Sequence, residues 1–235
     1  DELKRAGAKV YVCPAIRIVP PPSWSRLDKS IRNLDRYDRL IFTSVNGVEY
    51  FMKRYRRIRK FAAFPTTIKT FAIGPATALA MKRAGLSAPQ VSKDYVAESV
   101  LKVLNRVRGA RILIPRAAVA RNILPETLRK RGAIVDVVTA YRTVPDRKGT
   151  ARLRSLLRKN SADCVTFTSS STVDNFFASI SKSERARVVN ENKICAASIG
   201  PVTTGTLLHY GWKPRIIAKK PTTGHLLREI ERYFK

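Results

Sequence analysis

The chain has 235 residues, 44% of them apolar, enough to bury a core in one large domain or two small ones. Its 46 Lys and Arg against 17 Asp and Glu leave a formal charge of +29, a field that attracts polyanions such as a polycarboxylate or nucleic acid, or that serves solubility alone. No apolar run approaches the ~18 residues of a membrane span, "DELKRAGAKV" lacks signal-peptide character, and neither Cys13, Cys164 and Cys195 nor His209 and His225 show metal-ligand or CxxC spacing, so a soluble, reduced, metal-free chain is expected.

In chain order, the first residues read as the end of a helix, and "KVYVCPAIRIVPPP" (Lys9 to Pro22) is an extended, β-branched stretch ending at proline. "RLIFTS" (Arg39 to Ser44) is a strand closing in Thr-Ser, where a hydroxyl caps the next helix. That helix carries "KRYRRIRK" (Lys53 to Lys60), six basic residues in eight, read either as a solvated face or as a phosphate-contacting surface. "KTFAIGPATALAMKRAG" (Lys69 to Gly85) is a strand that enters its helix through Gly-Pro and stops at a second glycine. "GARILIPRAAVARNILPETLRKRGA" (Gly109 to Ala133) adds a strand, a loop with Arg116 and Arg121, and a helix. A second extended stretch, "AIVDVVTAYRTVPD" (Ala133 to Asp146), follows, and then "CVTFTS" (Cys164 to Ser169) and "KICAASIGPVTTGTLLHYG" (Lys193 to Gly211) restate the two earlier strand-to-helix corners.

That restatement is collinear. A shift of 125 places lays Phe42-Thr43-Ser44 on Phe167-Thr168-Ser169 and Leu3 to Pro20 on Leu128 to Pro145. After one inserted residue, Phe71 to Gly85 falls on Ala197 to Gly211. Three ordered blocks point to an internal duplication, and repeated β-α units imply parallel sheets with helices on both faces. The second copy has a strand and helix ahead of its extended stretch, so the repeat also predicts a strand, loop and part of a helix ahead of residue 1.

In such sheets ligands sit beyond the carboxyl ends of the strands, at helix N-termini. Four corners qualify: Thr43-Ser44, Gly74 to Thr77, Ser169 to Ser171, and Gly200 to Thr203. Each is explained equally well as a helix cap; two domains presenting the same pair point to a ligand cleft. Tyr141 stands where the other copy has Ile16, so the scaffold does not require a hydroxyl there, and a phenol can donate a proton without carrying charge. Arg116 and Arg121 suit a carboxylate, or are surface charge. No phosphate loop, dinucleotide fingerprint, nucleophile elbow or HExxH helix occurs, which argues against nucleotide hydrolysis, hydride transfer and triad hydrolysis.

The ordered set "LKRAGAKVYVCPAIRIVP", "LIFTSVNGVEYF", "FAIGPATALAMKRAG", "LPETLRKRGAIVDVVTAYRTVP", "VTFTSSSTVDNFF" and "SIGPVTTGTLL" resembles the uroporphyrinogen-III synthase family over nearly the whole chain. The resemblance implies two flavodoxin-like α/β domains joined by a two-stranded β connector, one inserted in the other. Residues 1–9 with 145–235 then form the discontinuous outer domain, 20–136 the inserted domain, and 10–19 with 137–144 the connector strands. It further implies a cytoplasmic, monomeric lyase without cofactor or metal, in transient contact with the preceding enzyme of tetrapyrrole biosynthesis. Such an enzyme converts hydroxymethylbilane to uroporphyrinogen III, losing water and inverting the last pyrrole through a spiro intermediate. The substrate's eight carboxylates would suit a basic, amide-lined cleft. By motif, Tyr141 matches the family's connector tyrosine, thought to assist departure of the hydroxyl, while Ser44, Thr77, Ser169 and Thr203 match its corner residues. Ser171, Arg116 and Arg121 join them as expected substrate contacts. Ser170 departs from the family's usual proline. The alternative is a two-domain polyanion or nucleic-acid binder without catalysis.

Overall fold

The computed structural model describes residues 2–60, 63–86, 90–92, 104, 106–191 and 193–235. The chain forms two compact units, Ile18–Val144 and Asp1–Arg17 with Pro145–Lys235. After a short helix α1 (Glu2–Arg5) come β1 (Ile16–Val19), α2 (Ser25–Arg32), β2 (Arg39–Phe42), α3 (Val45–Arg59), β3 (Lys69–Ile73), α4 (Pro75–Arg83), β4 (Gln90–Ser92), β5 (Arg111–Ala117), α5 (Ile123–Lys130) and β6 (Ile134–Pro145). The rest of the chain adds α6 (Arg147–Arg158), β7 (Cys164–Phe167), α7 (Ser170–Ser179), α8 (Lys182–Asn190), β8 (Cys195–Ser198), α9 (Pro201–His209), β9 (Ile216–Ile217) and α10 (Thr223–Phe234).

The sheet of Ile18–Val144 has the order β1-β6-β5-β2-β3-β4, with parallel pairing throughout β6-β5-β2-β3-β4. Chain order therefore reverses at β2, with β3 and β4 to one side and β5 and β6 to the other. A doubly wound sheet opens its ligand crevice at the carboxyl ends beside such a reversal. Alternation along the strands assigns the faces. Leu40, Phe42, Ala72 and Leu113 meet α2, α3 and α4 in one core, with Leu27, Ile31, Phe51 and Met81. Ile41, Phe71, Ile112 and Ile114 meet α5 in another, through Leu124 and Leu128. Helices on both faces are what the β-α alternation of the sequence predicts.

β6 breaks its own alternation. Val135 and Val137 face the α5 core, while Val138 and Ala140 face the α3 core. Tyr141, odd-numbered like Val135, nevertheless lies with Val138 and Ala140. The cause is a register shift: Arg116 pairs with Thr139, but Ala117 pairs with Tyr141. One extra residue re-aims everything after it, and here it turns Tyr141 towards α3.

In the other unit the parallel sheet β7-β8-β9 repeats the neighbour-to-neighbour order of β2-β3-β4. One face packs Phe167 and Ala196 against α6, α7, α8 and α9, with Phe176, Phe177 and Trp212. The other packs Cys195, Ala197 and Ile216 against Leu226 and Ile230 of α10. The stretch from Lys9, expected to be extended strand, pairs in a sheet only from Ile16. Pro14 has no N–H for a ladder, and its carbonyl instead lies against Gly149 in the first turn of α6, in the space that a Cβ would need.

Candidate functional site

Ser44, two residues past β2, is extended (φ −162°, ψ 154°), and its Oγ accepts the Gly47 amide at 3.1 Å, capping α3. Its hydroxyl also lies 3.0 Å from the Tyr141 hydroxyl. The β6 bulge is what makes this contact possible. The Tyr141 ring is buried, tilted against Tyr50 with centroids 5.8 Å apart, and the Tyr50 hydroxyl donates to the Ile18 carbonyl at 3.1 Å. A phenol and a serine hydroxyl thus share one hydrogen bond beyond the carboxyl end of the central strand, held by a helix cap on one side and a tilted aromatic pair on the other. Either can turn its proton to a ligand, since each is both donor and acceptor.

The neighbouring corner is built differently. Gly74 has φ +82° and ψ 152°, a conformation essentially confined to glycine, and Pro75 starts α4 with its fixed φ. Thr77 is buried in that first turn. A groove of about 700 Å³ runs between α3 and α4, with Val45 and Ala76 from their first turns and both acidic Glu49 and basic Lys53, Arg56 and Arg83 along it, Arg56 donating to the Ala84 carbonyl at 3.0 Å. The basic run of α3 is therefore not one uniform solvated face. Arg54 clamps Asp28 through two bonds of 2.7 and 2.6 Å and stacks over Trp24, Arg59 pairs with Asp35 at 3.0 Å, and Lys53 and Arg56 line the groove.

The predicted arginines divide. Arg116 precedes the register shift, so its side chain points to the α5 face, opposite Tyr141. There it donates to the Arg121 carbonyl at 2.7 Å and to Asn122 Oδ1 at 2.5 Å, fastening the loop that starts α5. Burial and the nearby Arg129 both lower its affinity for its proton below the guanidinium norm. Arg121 is exposed on that loop.

In the other unit Ser169 repeats the cap of Ser44 (φ −166°, ψ 159°) as a full capping box: its Oγ accepts the Thr172 amide at 3.2 Å, and Thr172 Oγ1 accepts the Ser169 amide at 3.2 Å. Ser171 Oγ lies 3.0 Å from Ser169 Oγ, so the added hydroxyls of "SST" form one local cluster. Thr203 is buried in the first turn of α9, behind Gly200-Pro201, beside a Ser198–Thr204 hydroxyl pair 2.7 Å apart. Gly200 has an extended φ of 170°, unlike Gly74. Within each unit, then, the hydroxyls that the sequence singles out do gather at the carboxyl edge of a parallel sheet.

Tyr50 carries no such signal in the sequence, because the matching position of the repeat holds Asn175. The other residues that sequence reasoning misses are Cys164 and Cys195, which β7-β8 pairing sets side by side. Among the described residues no group of three or more His, Cys, Asp or Glu is placed to hold a metal ion, and no helix is long and apolar enough to cross a membrane.

Parallel sheets covered by helices on both faces, with hydroxyls gathered at their carboxyl edges, define a two-unit α/β protein. The chain belongs to the uroporphyrinogen-III synthase family: the family model described as "Uroporphyrinogen-III synthase HemD" matches residues 1–228. A uroporphyrinogen-III synthase of Synechococcus elongatus is 31% identical over 244 residues, covering 99% of this chain and 89% of that protein. One from Chlorobaculum parvum is 27% identical over 225 residues, covering 92% and 85%. In fold, the chain resembles the crystal structure of a mutant uroporphyrinogen III synthase from the extremely thermophilic bacterium Thermus thermophilus, with a TM-score of 0.67 at 23% identity, covering 98% of this chain and 91% of that one.

Proposed function

We propose that this protein is a uroporphyrinogen-III synthase, a cyclising hydro-lyase that converts hydroxymethylbilane to uroporphyrinogen III. The observation that carries the reading beyond family membership is the Tyr141–Ser44 hydroxyl pair, 3.0 Å apart, at the carboxyl end of the central strand. Departure of hydroxide from a pyrrolylmethanol is assisted by the pyrrole nitrogen's own electrons. One correctly placed neutral donor, the Tyr141 phenol, is then sufficient help for the leaving oxygen. Ser44 holds that phenol in place and accepts or returns its hydrogen bond.

The harder task is to close the ring on the inverted carbon before the uninverted closure occurs spontaneously, which is catalysis by orientation. Orientation requires grips on the substrate's carboxylates. Thr77 and the first-turn amides of α3 and α4 serve in one unit, with Lys53, Arg56 and Arg83 along the groove. Ser169, Ser171 and Thr203 serve in the other, and exposed Arg121 adds a guanidinium that Arg116 positions through the loop. We further propose that the two units derive from one duplicated unit, supported by their matching serine caps and Gly-Pro corners. The enzyme is proposed to act in the cytoplasm as a monomer, receiving its unstable substrate in transient contact with the enzyme that makes it. The test is to supply fresh hydroxymethylbilane and follow its consumption and the appearance of uroporphyrinogen III; a folded protein that leaves the substrate to its spontaneous fate would end this reading.

A further inference from the structure

Cys164 and Cys195 open β7 and β8 and are direct partners in the parallel register. Both thiols point to the α10 face, Cys195 buried with Ala197 and Ile216, and Cys164 half-buried against them. Neighbouring parallel strands lie about 4.7–4.9 Å apart, within the Cα window of roughly 4.4–6.8 Å that a disulfide spans. We propose that Cys164 and Cys195 form an oxidisable dithiol that closes reversibly to a disulfide across β7 and β8 when the protein meets a peroxide.

The chemistry balances with hydrogen peroxide as the oxidant. A thiolate of the pair attacks one peroxide oxygen, the O–O bond breaks, and a sulfenic acid and one water result. The partner sulfur then attacks the sulfenic sulfur, the S–S bond forms, the S–O bond breaks, and a second water leaves. Two thiols give up two electrons and two protons to one peroxide. The two sulfurs are electrostatically unequal. The hydrogen bond from Cys164 and the nearby Arg215 cation hold the Cys195 thiol below its ordinary pKa, while the same hydrogen bond and burial push Cys164 up. Cys195 is therefore the more acidic sulfur of the pair, and it is buried directly beside half-buried Cys164, past which the peroxide must approach.

Cβ atoms of directly paired parallel strands sit near the strand spacing, wider than the roughly 3.5–4.5 Å of a relaxed disulfide. Closure must draw the starts of β7 and β8 together, so the bond belongs to the strained, easily reduced kind. Cys13 provides an internal comparison: it is half-buried on the unpaired stretch before β1, and burial pushes its thiol pKa up.

The test is intact mass, thiol counting and peptide mapping of the native protein and of Cys13→Ser after stoichiometric hydrogen peroxide, then after dithiothreitol. Both proteins are expected to lose two thiols and two hydrogens, to yield a peptide linking Cys164 to Cys195, and to recover fully on reduction. Cys164→Ser and, as a second variant, Cys195→Ala should show no such loss. Mass gained only as added oxygen, a covalent dimer, or a linked peptide containing Cys13 would each overturn the proposal. None of these readings depends on turnover, so their outcome is separate from that of the proposed activity.

Discussion

Replacing Tyr141 by Phe removes one oxygen and leaves the tilted ring contact with Tyr50 intact. The lost contact is the 3.0 Å hydrogen bond to Ser44. Ser44 Oγ keeps the Gly47 amide at 3.1 Å, so no buried partner is stranded, and the stability cost should fall at the low end of about 0.5–1.5 kcal/mol for a neutral hydrogen bond. The effect on rate should be larger. A single preorganised donor is worth roughly 10²–10³ in turnover; because the pyrrole already drives hydroxide out, about 10- to 10²-fold is expected, or roughly 1.4–2.7 kcal/mol in the barrier. Initial rates of uroporphyrinogen III formation from fresh hydroxymethylbilane, set beside urea unfolding of the same samples, separate the two effects. Formation of isomer III at the parent rate by folded Tyr141→Phe would refute the assignment. A slower rate that merely tracks a loss of folded protein would return Tyr141 to a packing role.

Three further outcomes follow from the geometry. Gly74→Ala forces a side chain into a backbone conformation of φ +82° and should cost about 1–3 kcal/mol, seen as a lowered urea midpoint; Gly200→Ala, at an extended φ of 170° with only Pro221 Cβ at 3.3 Å, should cost clearly less. Asp28→Asn breaks the two-bond clamp with Arg54 and should remove about 1.5–3 kcal/mol at neutral pH. The Arg54 guanidinium holds the Asp28 carboxyl below the usual carboxylate range, so this stabilisation is complete above the unfolded pKa of about 3.9 and is lost as pH falls through the lower folded value; the gap between parent and variant should close in that acid window, and a constant gap would contradict the pairing. Arg121→Ala should raise KM with little change in stability, whereas Arg116→Ala, which frees the loop that starts α5, should lower the unfolding midpoint as well.

The parts of the site that are legible in the sequence are those made by neighbours along the chain. Ser44 and Ser169 follow strands and must cap helices, and Gly74-Pro75 and Gly200-Pro201 can be read from the backbone chemistry of glycine and proline. The rest depends on sheet register. Tyr141 meets Ser44 because an extra residue in β6 reverses its facing, and strict alternation would have sent it to the opposite core. Arg116 and Arg121 look alike as ligand contacts in the sequence, yet the strand pleat sends the Arg116 side chain into its own loop. Cys164 and Cys195 look unrelated until parallel pairing joins them, and Tyr50 gives no signal because its repeat partner is Asn175. The basic run of α3 reads as uniform charge, although ion pairs to Asp28 and Asp35 engage part of it.

The protein is proposed to orient a linear tetrapyrrole so that the inverted ring closes first. The direct measurement is the partition of fresh hydroxymethylbilane between isomers III and I, separated after a short incubation at increasing protein concentration. Isomer III should rise with protein until it replaces isomer I. A product ratio that stays at the isomer I of buffer alone, at any concentration of folded protein, would contradict it.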